Sequence, residues 1–142
     1  MPFLPTTKQE ITELGWSVPD FVLVTGDAYV DHPSFGIAII SRMLEAKGYK
    51  VAILAQPDYR SARDFTRFGR PRLGFFVTSG NIDSMVAHYT AARRKRSDDA
   101  YSPGGKAGKR PDDAKGIGIW LFYRLQRKRC WRADGMRLIL CW

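Results

Sequence analysis

The stretch from Phe21 to Pro57, FVLVTGDAYVDHPSFGIAIISRMLEAKGYKVAILAQP, decides the fold. It opens with Phe21-Val-Leu-Val-Thr-Gly-Asp27, a short continuous apolar run closed by Gly and Asp. Runs of that kind mark strands buried on both faces, the habit of parallel sheets. Ile37, Ile40, Met43 and Leu44 follow at helical spacing. Pro33 suits the first helical position, with Asp31 or His32 as N-cap, and Gly48 supplies the left-handed stop. Lys50-Val-Ala-Ile-Leu-Ala-Gln-Pro57 is a second buried strand, which completes a βαβ unit.

The alternation continues outward. Ser61 to Phe68 suits a short helix, and Leu73-Gly-Phe-Phe-Val-Thr-Ser79 a third buried strand. From Asn81 the spacing of Ile82, Met85, Val86 and Tyr89 predicts an amphipathic helix. Asp83 stands in its first turn and Arg93-Arg-Lys-Arg96 at its end, both matching the helix dipole. Strands alternating with helices give an α/β class: a small parallel sheet with flanking helices joined by right-handed crossovers. Sheets of this kind bind ligands beyond the carboxyl ends of their strands. Here those ends read Thr25-Gly-Asp27, Gln56-Pro-Asp58 and Thr78-Ser-Gly-Asn81, so the candidate binding residues are Asp27, Asp31, His32, Ser34, Ser79 and Asn81. The same residue types also serve as plain turn and cap formers, and local sequence leaves both readings open.

Composition narrows the function classes. The 142 residues carry 23 Lys+Arg against 14 Asp+Glu, a net charge of +9. No apolar run approaches the ~18 residues of a membrane span. The first sixteen residues, MPFLPTTKQEITELGW, lack the basic and apolar regions of a secretory signal, so a cytoplasmic location is expected. Cys130 and Cys141 are the two cysteines, too few for a disulfide framework or a four-cysteine zinc site. Ser97 to Asp113 is a loop by its Pro and Gly content, long enough to be either functional or mobile. Its Gly104-Gly-Lys106 resembles a phosphate loop but lacks the required spacing and the following Ser or Thr. No nucleophile–His–acid set and no paired-carboxylate site can be assembled, so no catalytic and no metal-binding residue is assigned.

Two runs, DAYVDHPSFGIAIISRMLEAKGYKVAILAQPD (27–58) and FFVTSGNIDSMVAHYTAARRKRSDDAYSPGGKAGKRPD (75–112), resemble the N-terminal region of YgiQ-type radical SAM proteins. The resemblance covers about residues 3–113. It implies a flavodoxin-like, cobalamin-binding-like α/β domain, incomplete in this chain. It further implies a full-length protein whose radical SAM barrel, the expected partner, binds a [4Fe-4S] cluster and S-adenosylmethionine through Cys-x3-Cys-x2-Cys. That motif is absent here, so no cluster ligand carries over and no cofactor is assigned to this chain. Cobalamin-binding domains place a lower-ligand His in Asp-x-His-x-x-Gly. Asp31-His32-Pro-Ser-Phe-Gly36 is one residue out of phase, which makes His32 a capping or solvent-facing residue and leaves cobalamin open. His88 falls off the apolar face of its helix and is expected at the surface.

The composition changes character near position 114. Residues 114–142 carry seven basic side chains against Asp134 alone, with three of the four tryptophans and both cysteines. The family pattern also stops there. The tail reads either as a truncation or frame-shift product or as a natural divergent segment. Ile117 to Phe122 suit a fourth strand, whereas residues after about 124 keep neither period and are expected to be disordered or loosely attached. Three functions compete: an accessory domain separated from its catalytic half, a nucleic-acid-binding module of weak specificity built on the basic residues of 93–110, and an inert fragment with exposed sheet edges.

Overall fold

The computed structural model describes residues 2–82, 84–107 and 137–140. The described elements are α1 (Lys8–Glu13), β1 (Phe21–Thr25), α2 (Gly36–Ala46), β2 (Val51–Ala55), β3 (Gly74–Thr78), α3 (Ser84–His88), a 3₁₀ turn (Pro103–Gly105) and β4 (Arg137–Leu140). The strands form one sheet in the order β2-β1-β3-β4. All three neighbouring pairs run parallel, with Leu23 opposite Ile53 on one side and Phe76 on the other. The α/β expectation is met, and this open sheet with few helices matches an incomplete flavodoxin-like domain, whose strand order begins 2-1-3-4.

Period-two alternation divides the strands between two apolar layers. Val22, Val24, Ala52 and Leu54 face Ile11 of α1 and Phe65 and Phe68 of the β2–β3 connection. Leu23, Val51 and Ile53 face Leu4 and Ile37, with Ile40 and Leu44 of α2 packed against them. Both faces of β1 and β2 are therefore covered, which is why these strands read as continuous apolar runs.

Local chemistry adjusts several expected boundaries. α2 begins at Gly36 with Phe35 as N-cap, and Pro33 lies in the preceding turn. That turn closes first, through the Phe35 N–H to the His32 carbonyl at 2.9 Å. Met43 is 62 % exposed, since at ~100° per residue it falls about 120° away from Ile37. Ser41 and Ala38 fill the buried face in its place. The helix stops as expected: Gly48 has φ +84°, with Gly48 N–H bonded to Glu45 O and Tyr49 N–H to Leu44 O, the Schellman pattern.

Residues 61–68 form turns instead of a helix. The Thr66 hydroxyl donates to the Ala62 and Arg63 carbonyls, and Gly69 at φ +74° ends the stretch. α3 spans five residues and is much shorter than the expected amphipathic helix. Past Tyr89 the chain reverses: Thr90 N–H bonds Arg94 O at 2.8 Å, Arg93 takes φ +58°, and Tyr89 bridges Lys95. Arg96 then donates to the Val86 and Tyr89 carbonyls, so a folded-back guanidinium closes the helix. Val86 is exposed, and His88, whose carbonyl accepts the Arg96 N–H at 2.8 Å, is half-buried instead of lying at the surface. Asp83 is outside the described residues, as are the strand expected at 117–122 and both cysteines. The expectation of a detached tail fails at Arg137–Leu140, whose backbone pairs with β3 from Gly74 to Val77. A short apolar run suffices for a strand when a sheet edge offers unpaired backbone groups.

Candidate functional site

The chain crosses from β1 to β2 on one side and continues to β3 on the other, so its order reverses between β1 and β3. In doubly wound sheets a crevice opens at that reversal, beyond the carboxyl ends of the strands. Thr25 and Thr78 end the two strands in register with each other. Each closes the same local turn: Asp27 N–H donates to Thr25 Oγ1 at 3.1 Å and Gly80 N–H to Thr78 Oγ1 at 3.2 Å.

Asp27 links the two loops. The residue is 1 % exposed, and its carboxylate accepts the Asn81 N–H at 2.6 Å, while Asn81 Nδ2 donates to the Ser34 carbonyl at 3.0 Å. Gly80 has φ +104°, and a Cβ there would overlap the Asp27 carboxylate. A cavity of about 280 Å³ lies at this edge, lined by Thr25, Asp27, Thr78 and Asn81 together with Gly36 and Ile37 at the start of α2. Phe35 gives α2 no side-chain cap.

A second polar network seats residues 97–106 on the same edge. Gln56 occupies the left-handed region at φ +43°. Its Nε2 donates to Gly26 O at 2.9 Å and to Ser102 Oγ at 2.7 Å, and the Ser102 hydroxyl donates to Asp99 Oδ2 at 2.7 Å. Ala28 N–H bonds Tyr101 O at 2.8 Å, and the Tyr101 ring meets Phe35 edge-on. The described part of the Gly/Pro loop is thus packed against the β1–α2 connection. Its signal in the sequence was faint, because it rests on single polar residues without a period.

The sequence-derived candidates separate in space. Asp27 and Asn81 line the cavity, and Ser34 meets them through its backbone carbonyl. His32 is exposed, with Nδ1 accepting the Ser34 N–H at 3.1 Å, a turn-forming role. Ser79 is half-buried between two cavity residues and does not line the cavity. Asp31 points elsewhere, to Arg42, whose guanidinium also holds Glu45 and the Pro2 carbonyl. The Arg42 hydrogen bonds hold the Asp31 carboxyl below its usual range, and the same pair raises Arg42. Thr25, Thr78, Gly36 and Ile37 were missed as site residues. Strand register and the start of α2 bring them together, and neither is visible in a local motif.

Among the described residues no group of three or more His, Cys, Asp or Glu side chains could hold a metal ion. An iron–sulfur cluster needs three or four thiolates, and the whole chain has two. The residues present therefore do not fit a [4Fe-4S] centre. No helix among them is long and apolar enough to cross a membrane.

An open α/β sheet with a crevice at its reversal point is the arrangement of doubly wound domains. The family model described as radical SAM N-terminal matches residues 3–131, and the chain belongs to that family. A UPF0313 protein of Thermotoga petrophila is 62% identical over 112 residues, covering 79% of this chain and 20% of the relative. The UPF0313 protein YgiQ of Escherichia coli is 56% identical over 131 residues, covering 92% of this chain and 17% of the relative. A UPF0313 protein of Pseudomonas aeruginosa is 60% identical over 113 residues, 80% of this chain and 15% of its own length. The chain thus spans at most about a fifth of these relatives. No solved structure matches. The nucleic-acid reading gains no support from these relationships.

Proposed function

We propose that this chain serves as the N-terminal accessory domain of a longer radical SAM iron–sulfur protein. The observation that carries the reading is the family match over residues 3–131, combined with relatives of which this chain covers only 17–20%. In the full-length protein a separate barrel would hold the [4Fe-4S] cluster and S-adenosylmethionine. The present domain supplies no cluster ligand, is not catalytic alone, and works in the cytoplasm beside that barrel. The strand order supports kinship with cobalamin-binding-like domains. His32, tied into a turn by Ser34, supports no lower-ligand role.

The test is association in trans. The E. coli relative, shortened by the region this chain matches, is mixed with the 142-residue chain and passed over a sizing column. Co-elution in equal amounts is expected. Separate elution of two folded species at micromolar concentration would contradict the accessory role.

A further inference from the structure

The two faces of the sheet are unequally covered. On one, Phe65 and Phe68 close over β1, β2 and β3, with Trp16 and Ala62 as the partly buried neighbours. On the other, beneath α2, Phe21, Ile40, Leu44 and Phe76 all stay half-buried. Packed helices lie ~8–10 Å apart and paired strands ~4.8 Å apart, so one helix covers about two strands. α2 packs on β1 and β2, and among the described residues no helix packs on β3 in the same way. A trough is left between the flank of α2 and the face of β3. Ile40 identifies that flank, since it shares a cavity with Thr78 and Gly80 at the end of β3. Exposed Met43 follows about 60° round the helix. The floor is aromatic: Phe21 meets Phe76 edge-on at 5.1 Å and exposed Tyr49 at 5.3 Å. Arg42 and Glu45, the charged residues of α2, pair with each other on the opposite flank, beside the Pro2 carbonyl.

Right-handed connections from β1 to β2 and from β2 back to β3 run in opposite directions and lie on opposite faces, as α2 and Phe65 do. A right-handed connection onward from β3 to β4 belongs with the second of these. The crossovers of this sheet therefore leave the trough open. At least four-fifths of each of the relatives lies outside the share that this chain matches. We propose that the trough holds an amphipathic helix from that remainder, its apolar stripe seated on Ile40, Met43, Leu44 and Phe76. This rests on the accessory-domain reading and names the face by which the domain docks. A tethered segment reaches effective concentrations of about millimolar, above those of a free second copy. Two copies of a chain of net charge +9 also repel each other.

Hydroxyl-radical footprinting, read residue by residue by mass spectrometry, tests it without altering the face. The 142-residue chain is compared with the full-length E. coli relative carrying residues 3–131 of this chain in place of its own matching region. Oxidation of Met43 and Tyr49 should fall about fivefold or more in the long protein, as a contact that excludes water requires. Leu14, exposed at the end of α1 on the Phe65 side, should react alike in both. Met43→Glu in the long protein should return Tyr49 to its reactivity in the free chain, because an unpaired charge is costly in an apolar contact. Continued protection of Tyr49 in that variant overturns the proposal. Protection elsewhere with Met43 unchanged also overturns it and leaves the accessory-domain reading standing. No protection at any residue overturns both. Weak oxidation of Met43 in the free chain overturns it as well. At every concentration it would mean that the chain covers its own trough, and only at high concentration that a second copy fills it.

Discussion

The crossover that leaves β1 and the segment that leaves β3 are built from different material. Between β1 and β2 the chain makes an eleven-residue helix, buries Ile37, Ala38 and Ser41, and stops on a glycine-closed Schellman motif. After β3 the helix lasts five residues, and the chain then folds back through Thr90, Arg93 and Arg96 and docks by Gln56, Ser102 and Asp99. The first crossover is held by apolar area, which tolerates many residue choices. The second is held by individual hydrogen bonds, each of which fails alone. The candidate site lies where the two meet.

If that contrast is right, substitutions in the apolar layers should cost most. Phe65→Ala, at a residue 1 % exposed, should lower unfolding free energy by about 3–5 kcal/mol, and Ile53→Ala by about 2–5 kcal/mol. Urea unfolding measures both. Losses below 1 kcal/mol would show that the layers are not packed as described.

Gly80→Ala comes next. It forces a side chain into a left-handed backbone and onto the Asp27 carboxylate, at a cost of roughly 2 kcal/mol or more. The amide exchange of Asn81 should accelerate in the same variant. A chain ending at Asp113 removes the parallel partner of β3, and a loss of roughly 2 kcal/mol is expected from the ladder bonds. Unchanged stability there would remove β4 from the account.

Ser102→Ala should cost about 1 kcal/mol and release residues 97–106, read as faster exchange at Ala28, whose N–H bonds Tyr101. The α2 layer should not respond.

The smallest effect belongs to Asp31→Asn. The lowered Asp31 carboxyl contributes stability that is present above the unfolded value near ~3.9 and is lost as pH falls through the lower folded value. The variant should therefore be less stable by under about 1 kcal/mol at neutral pH and match the parent in strong acid. A difference that grows on acidification would have the wrong sign.

The strands were legible because a strand buried on both faces shows itself as a continuous apolar run. Their order came from the parallel crossovers only in part, since β4 uses residues whose sequence lacks a sustained period. α1 was overlooked although Thr7 and Glu10 form a capping box, with Thr7 Oγ1 accepting the Glu10 N–H and Glu10 accepting the Thr7 N–H. The length of α3 was misjudged because apolar spacing does not register a competing turn at Thr90 and Arg93. Within the site, Asp27 and Asn81 could be named from their place at strand ends. Asp31 could not be separated from them, since its partner Arg42 lies eleven residues on and only the fold brings the two together.

This chain is a radical SAM N-terminal domain, and its two cysteines are too few to ligate a [4Fe-4S] cluster. Anaerobic reconstitution of the purified 142-residue chain with iron and sulfide, followed by iron, sulfide and protein analysis, tests it most directly. No cluster beyond background is expected. One [4Fe-4S] centre per chain would contradict it.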